Sequence, residues 1–124
     1  MPFERLEDRR VYQRAEAVAD RIWELVVPWE WFAKRTVGTQ LARAGDSIGA
    51  NVAEAGGRFH PADVRNFLYY ARGSLRETIY WLRIAVRTAI VSKDEIAWEL
   101  DEAQQLKAMI TSAIKTGQNS SSRG

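Results

Sequence analysis

The chain has 124 residues, 27 % of them charged, with a formal net charge of +2 and no cysteine. That length suits one domain that buries a core without covalent staples, and the missing cysteines exclude disulfides and thiolate metal sites. A lone histidine, His60, excludes a multi-histidine metal site within one subunit, and no apolar run approaches the roughly 18 residues of a membrane span. The first ten residues mix both charge signs and lack an apolar h-region, so the expectation is a cytoplasmic protein without a secretory signal.

Residues Glu7 to Val27 read as the first helix. Val11, Ala15, Val18, Ile22 and Leu25 recur every three or four positions and make its core stripe. Pro28 stops it. Glu16, Asp20 and Glu24 line one side at intervals of four, a like-charge row that either meets a basic partner or is simply solvated. Trp29, Glu30, Trp31 and Phe32 then form an aromatic connection, which either plugs the end of a bundle or marks a partner site.

Val37 to Gly57 reads as the second helix, with Thr36 as its N-cap and Gly56-Gly57 as its end. Val37, Leu41, Ala44, Ile48, Val52 and Ala55 make the apolar face. A polar line, Gln40, Arg43, Ser47, Asn51 and Glu54, runs along one flank, and a small-residue line containing Gly38, Gly45 and Gly49 runs along the other. Only Arg43, Asp46 and Glu54 are charged, far fewer than on a helix with a solvated back, so neighbours are expected to cover most of its circumference. Each interior glycine costs about 1 kcal/mol of helix propensity relative to alanine, which close approach of another helix would offset.

Pro61 suits a first helical position after the loop residue His60, and Asp63 favours the helix start. The third helix is expected to reach about Ile90 on a core stripe of Val64, Leu68, Ala71, Leu75, Thr78, Leu82, Ala85 and Ala89. Beside it run Arg65, Tyr69, Arg72, Arg76, Tyr80, Arg83 and Arg87, stepping by three or four along one face. From Arg58 to Arg87 six arginines stand against Asp63 and Glu77, a local balance of +4, whereas Asp94 to Glu102 holds five acids and no base. Interleaved guanidinium and phenol groups suit a polyanion, arginine meeting phosphate while a ring stacks on an unpaired base. The competing reading is that the arginine stems cover apolar surface and the heads pair with the Glu16, Asp20, Glu24 line or with the acidic start of the fourth helix. Ser92 to Glu95 is a capping-box pattern opening that helix, whose stripe is Ile96, Leu100, Ala103, Leu106, Ile110 and Ile114. Gly117 is expected to end it, leaving residues 118–124 as a disordered polar tail to a bundle spanning 1–117.

Four amphipathic helices joined by short loops predict an all-α, antiparallel up-and-down four-helix bundle. The run Gln40-Leu41, Arg43-Ala44, Ser47-Ile48, Asn51-Val52-Ala53-Glu54 also resembles the signature of bacterial four-helix bundle proteins encoded by intervening sequences of 23S ribosomal RNA genes. Gly73-Ser74-Leu75 with Glu77 matches that family's second block, and Leu6 to Tyr12 its opening segment. Ala55 departs from the usual glycine, with Gly56 next in line to end the helix. The resemblance implies a ring-shaped homo-oligomer, typically a pentamer around a central channel. It extends to the accessory proteins of diversity-generating retroelements, basic pentameric barrels that bind nucleic acid and a reverse transcriptase.

No Glu-x-x-His pair, nucleophile elbow, Walker loop or dinucleotide fingerprint is present, so no enzyme, cofactor or metal is expected. The polar residues Gln40, Arg43, Ser47, Asn51 and Glu54 are expected to face Arg72, Ser74 and Glu77 in a structural network that fixes helix register. Two functions follow. One is an oligomer binding nucleic acid, RNA favoured over DNA, through the arginine–tyrosine face. The other is a protein-interaction scaffold whose arginines form inter-helix and inter-subunit salt bridges.

Overall fold

The capping carboxylate of Glu30 sets where the second long helical run begins. In the computed structural model, which describes the backbone of residues 6–123 and the side chains of residues 9–117, that carboxylate accepts the backbone N–H of Phe32 at 3.1 Å and of Ala33 at 2.7 Å. Helix α1 (Leu6–Val26) precedes it. Helix α2 (Trp31–Ala33) passes through a π-helical segment (Lys34–Gly38) into α3 (Thr39–Gly56). Helix α4 (Pro61–Arg87) follows, then a 3₁₀ turn (Asp94–Ile96) and α5 (Ala97–Arg123). The described part of the chain is all-helical, and its four long helices, α1, α3, α4 and α5, form a four-helix bundle. In it α1 packs on α3 and α5, and α4 packs on the same two.

The core follows the expected stripes. Val11, Ala15, Val18 and Ile22 of α1 meet Leu41, Ile48 and Val52 of α3, Leu68, Leu75 and Leu82 of α4, and Leu106 and Ile110 of α5, all buried. Each large aliphatic side chain so buried contributes roughly 1.5–3 kcal/mol. Ala55 is buried in the last turn of α3, and the chain leaves the helix through Gly56 and Gly57, so alanine at 55 is compatible with the turn.

Several boundaries differ from the sequence reading. Thr36 is not a helix cap: its hydroxyl donates to the Phe32 carbonyl at 2.7 Å, inside the helical run. Glu30 takes the capping role, so Trp31 and Phe32 stand on the first turn, 68 % and 65 % exposed, and only Trp29 of the three packs against the core. Helix α4 stops at Arg87, before the expected Ile90, and Ala89 is exposed with φ of 61°. There Ala89 N–H reaches Val86 O at 3.0 Å and Ile90 N–H reaches Ala85 O at 2.9 Å, a Schellman-type end built without glycine. The Ser92/Glu95 capping box forms reciprocally, at 2.9 and 3.2 Å, but a 3₁₀ turn follows it before α5 starts. Gly117 does not end α5, whose helical backbone continues through the polar segment to Arg123. Residues 1–5 and Gly124 lie outside the described residues.

The glycines of the second predicted helix meet α1. A Cβ at Gly38 would lie 2.7 Å from Val26 Cγ1, and one at Gly45 would lie 2.9 Å from Ile22 Cδ1. One at Gly49 would sit 3.9 Å from both Glu16 Cγ and Tyr12 Cε1. At Gly38 and Gly45 close helix approach inside a single subunit therefore offsets the glycine propensity cost, whereas at Gly49 an added Cβ would make only ordinary contact. The enclosure is incomplete, because Gln40, Arg43, Ala50, Ala53 and Glu54 of α3 are exposed.

Candidate nucleic-acid interface

The buried stripe of α4 fixes the position of its arginines. Val64, Leu68, Ala71, Leu75, Thr78, Leu82 and Ala85 point into the core; Arg65, Tyr69, Arg72, Arg76 and Arg83 each follow one of them by one position, about 100° round the helix, and Tyr80 and Arg87 follow Thr78 and Ala85 by two. Arg65, Tyr69, Arg72, Arg76, Tyr80, Arg83 and Arg87 consequently share a flank on the α5 side. Two observations locate that side. Arg72 Nη1 donates to Thr111 Oγ1 of α5 at 3.4 Å, and a Cβ at Gly117 of α5 would lie 3.6 Å from Arg65 Cγ.

Individual side chains on this face differ. Arg65 and Arg72 are half-buried, and the Arg72 guanidinium lies 5.0 Å from the Tyr69 ring centroid. Arg76, Arg83 and Arg87 are exposed. Tyr80 is 54 % exposed and makes an edge-on contact with Trp81 at 5.0 Å. Ion pairs form at Arg14–Glu102, Arg21–Glu99 and Arg58–Glu54, and among the described residues Arg76, Arg83 and Arg87 form none.

The acids expected to neutralise the arginines are engaged or located elsewhere. Glu102 of α5 takes a fork from Arg14 of α1, at 2.9 Å from Nε and 2.6 Å from Nη2. Arg14 also donates to Gln105 Oε1 at 2.9 Å and approaches Met109 Sδ at 3.1 Å. These hydrogen bonds hold the Glu102 carboxyl below its ordinary range and raise the Arg14 guanidinium further. Glu99 is buried, with Arg21 Nε 3.9 Å from Oε2 and with Oε1 lacking a partner among the described residues. Glu16 and Asp20 line a groove on α1 facing Asp46, Gly49 and Ala50 of α3, so that acidic row lies against α3 and not α4. Trp23 Nε1 donates to both Asp46 oxygens at 3.0 Å.

The polar network between α3 and α4 is smaller than expected. Ser47 Oγ and Ser74 Oγ are 2.7 Å apart, and Asn51 Nδ2 donates to the Ser47 carbonyl at 2.9 Å and reaches Ser74 Oγ at 3.4 Å. Gln40, Arg43, Glu54 and Glu77 are exposed and outside this cluster, Glu54 binding Arg58 one turn on at 2.9 Å. Arg72 is turned to α5. The reason is geometric: residues at the helix–helix seam are enclosed, whereas those a further turn outward along the same flank reach water.

Sequence reasoning missed Arg14. No matching spacing announced it, because Arg14 and Arg21 lie seven residues apart on α1 whereas their partners Glu102 and Glu99 lie three apart on α5. His60 is exposed at the start of α4 and makes no side-chain cap. Among the described residues there is no group of three metal-ligating side chains, and no helix is long and apolar enough to cross a membrane.

The family model described as 23S rRNA-intervening sequence protein matches residues 7–112. The chain belongs to that family. No curated protein matches it in sequence. Among solved structures it is similar to a protein of unknown function from the S23 ribosomal protein family of Bacteroides thetaiotaomicron, with a TM-score of 0.80 and 28 % identity, covering 89 % of this chain and 99 % of that one. The bundle and the Ser47–Asn51–Ser74 seam are thus features of a 23S rRNA-intervening sequence protein.

Proposed function

We propose that this 23S rRNA-intervening sequence protein is a non-enzymatic, nucleic-acid-binding bundle of the cytoplasm that engages RNA through the outer flank of α4. The observation that carries this reading is the state of Arg76, Arg83 and Arg87. They are exposed, at helical spacing around the exposed Tyr80, and among the described residues no carboxylate lies within ion-pair distance of them. Unneutralised arginines on one face raise the local potential and attract phosphate by counterion release.

The test is retention of a labelled single-stranded RNA by the full chain. Arg76→Glu with Arg83→Glu should abolish retention while leaving the helical circular dichroism unchanged. Unaltered retention by that variant would discard the α4 site.

One observation favours the scaffold reading as well. Ala50 and Ala53 are exposed on the outer side of α3, a strip on which a second subunit could pack closely. The bundle is accordingly proposed to assemble as a homo-oligomer, with a five-membered ring as the form to test. Solution mass decides it: a pentamer supports the ring, and a monomer at working concentration removes it. If assembly proved to consume Arg76, Arg83 and Arg87, the protein would be a scaffold without a nucleic-acid role.

A further inference from the structure

Two basic side chains of α5 lie outside every motif read from the sequence. Lys107 is half-buried and Lys115 is exposed, one helical turn to either side of Thr111. Thr111 is the residue that takes the hydrogen bond from Arg72. With the contact of Arg65 at Gly117, this fixes an antiparallel register in which Lys107 lies level with Arg76 and Lys115 with Tyr69.

The basic surface therefore has two walls. One is the arginine line of α4, about 33 Å from Arg65 to Arg87 at roughly 1.5 Å per residue. The other is Lys107 and Lys115 of α5, with the small exposed residues Ala108 and Ser112 between them. Packed helices lie about 8–10 Å apart, so the walls flank a shallow track floored by the Arg72–Thr111 contact. Toward the far end of α5 the wall turns acidic at Asp101, which is held by Gln105 at 2.7 Å, and the α5 contribution stops near Gln104.

Resting on the proposed nucleic-acid function, we infer that the ligand is an unpaired strand lying in the α4/α5 track, with Lys107 and Lys115 as phosphate-binding residues. A track one helix-spacing wide lets both walls reach the phosphates of a single strand. Tyr80 lies between Arg76 and Arg83, one turn from each, with more than half of its surface open to solvent. A ring so placed gains by stacking only on a base that is not already stacked in a duplex. Guanidinium and ammonium groups on both sides of one aromatic platform are the combination that follows a flexible strand without reading its sequence.

The experiment measures fluorescence anisotropy of the full chain with a labelled, unstructured RNA of about 12 nucleotides, with its blunt duplex, and with polyglutamate as competitor. The single strand should bind about tenfold more tightly than the duplex. Lys107→Ala with Lys115→Ala should weaken it several-fold and lower the salt slope by about 1.4, near 0.7 per lost phosphate contact. Tyr80→Ala should weaken binding where Tyr80→Phe retains it. If the lysine pair changes nothing while Arg76→Ala with Arg83→Ala abolishes binding, the α5 wall is wrong and the α4 site stands. Equal affinity for duplex overturns the unpaired-strand assignment, as does polyglutamate competing as well as RNA. Absence of any RNA binding by the unaltered protein removes both this inference and the function on which it rests.

Discussion

Alanine substitution at Gly38 and at Gly49 should move stability in opposite directions, because the two glycines face α1 with different clearances. At Gly38 the added Cβ would sit 2.7 Å from Val26 Cγ1, 3.4 Å from the Ala33 carbonyl oxygen and 3.5 Å from Trp29 Cε3. Val26 is β-branched and has little rotameric freedom with which to withdraw. Overpacking of this kind costs about 1–3 kcal/mol, against about 1 kcal/mol gained in helix propensity, so Gly38→Ala should be destabilised by up to about 2 kcal/mol. At Gly49 the nearest atoms to an added Cβ are 3.9 Å away, ordinary contact distance, so the propensity gain of about 1 kcal/mol should appear almost intact. Thermal denaturation followed by circular dichroism should show Tm falling for Gly38→Ala and rising by about 3–5 °C for Gly49→Ala. Equal shifts in the same direction would mean that the neighbouring side chains approach no more closely at Gly38 than at Gly49, and the packing argument would fail.

Ala89→Gly should stabilise the protein by about 1 kcal/mol, since Ala89 holds a left-handed φ of 61° at the end of α4; urea denaturation that gives no gain would show that this turn is unstrained. Glu102→Gln should cost about 1.5–3 kcal/mol at neutral pH by weakening the fork from Arg14. The Glu102 carboxyl is depressed in the folded state, so its contribution is present above the ordinary value near 4.5 and fades as pH falls through the folded value. The acid limb of a stability–pH curve should accordingly flatten in Glu102→Gln, and an unchanged limb would refute the assignment. Glu99→Met should be neutral or stabilising by about 1–3 kcal/mol, because the side chain is 5 % exposed with one oxygen unpartnered among the described residues. A loss of stability would mean that Arg21 contributes more than its 3.9 Å separation suggests.

The helices were readable because burial imposes a period of three to four that Val11 to Ile22, Leu41 to Val52, Leu68 to Leu82 and Leu106 to Ile114 all keep. The ends were less readable. Thr36 resembled a cap, yet Glu30 reaches the N–H groups of Phe32 and Ala33 first, and five helical residues, 31–35, precede the threonine. The end of α4 carries neither glycine nor proline, so nothing local distinguished Ala89 from another core alanine. The arginine face was legible from α4 alone. Its α5 wall was not, because Lys107 and Lys115 acquire meaning only through the register set by Arg72 with Thr111 and Arg65 with Gly117. Likewise, the polar line on α3 reads as one feature in sequence, but the neighbouring helix reaches only Ser47 and Asn51 and leaves Gln40, Arg43 and Glu54 in solvent.

The claim that the α4 flank is an electrostatic nucleic-acid surface is tested most directly by the salt dependence of RNA affinity. For the unaltered chain, log K against log salt should fall steeply, and Arg76→Ala with Arg83→Ala should reduce the slope by about 1.4 for a single strand. A slope that is flat, or that the two substitutions leave unchanged, would contradict the account.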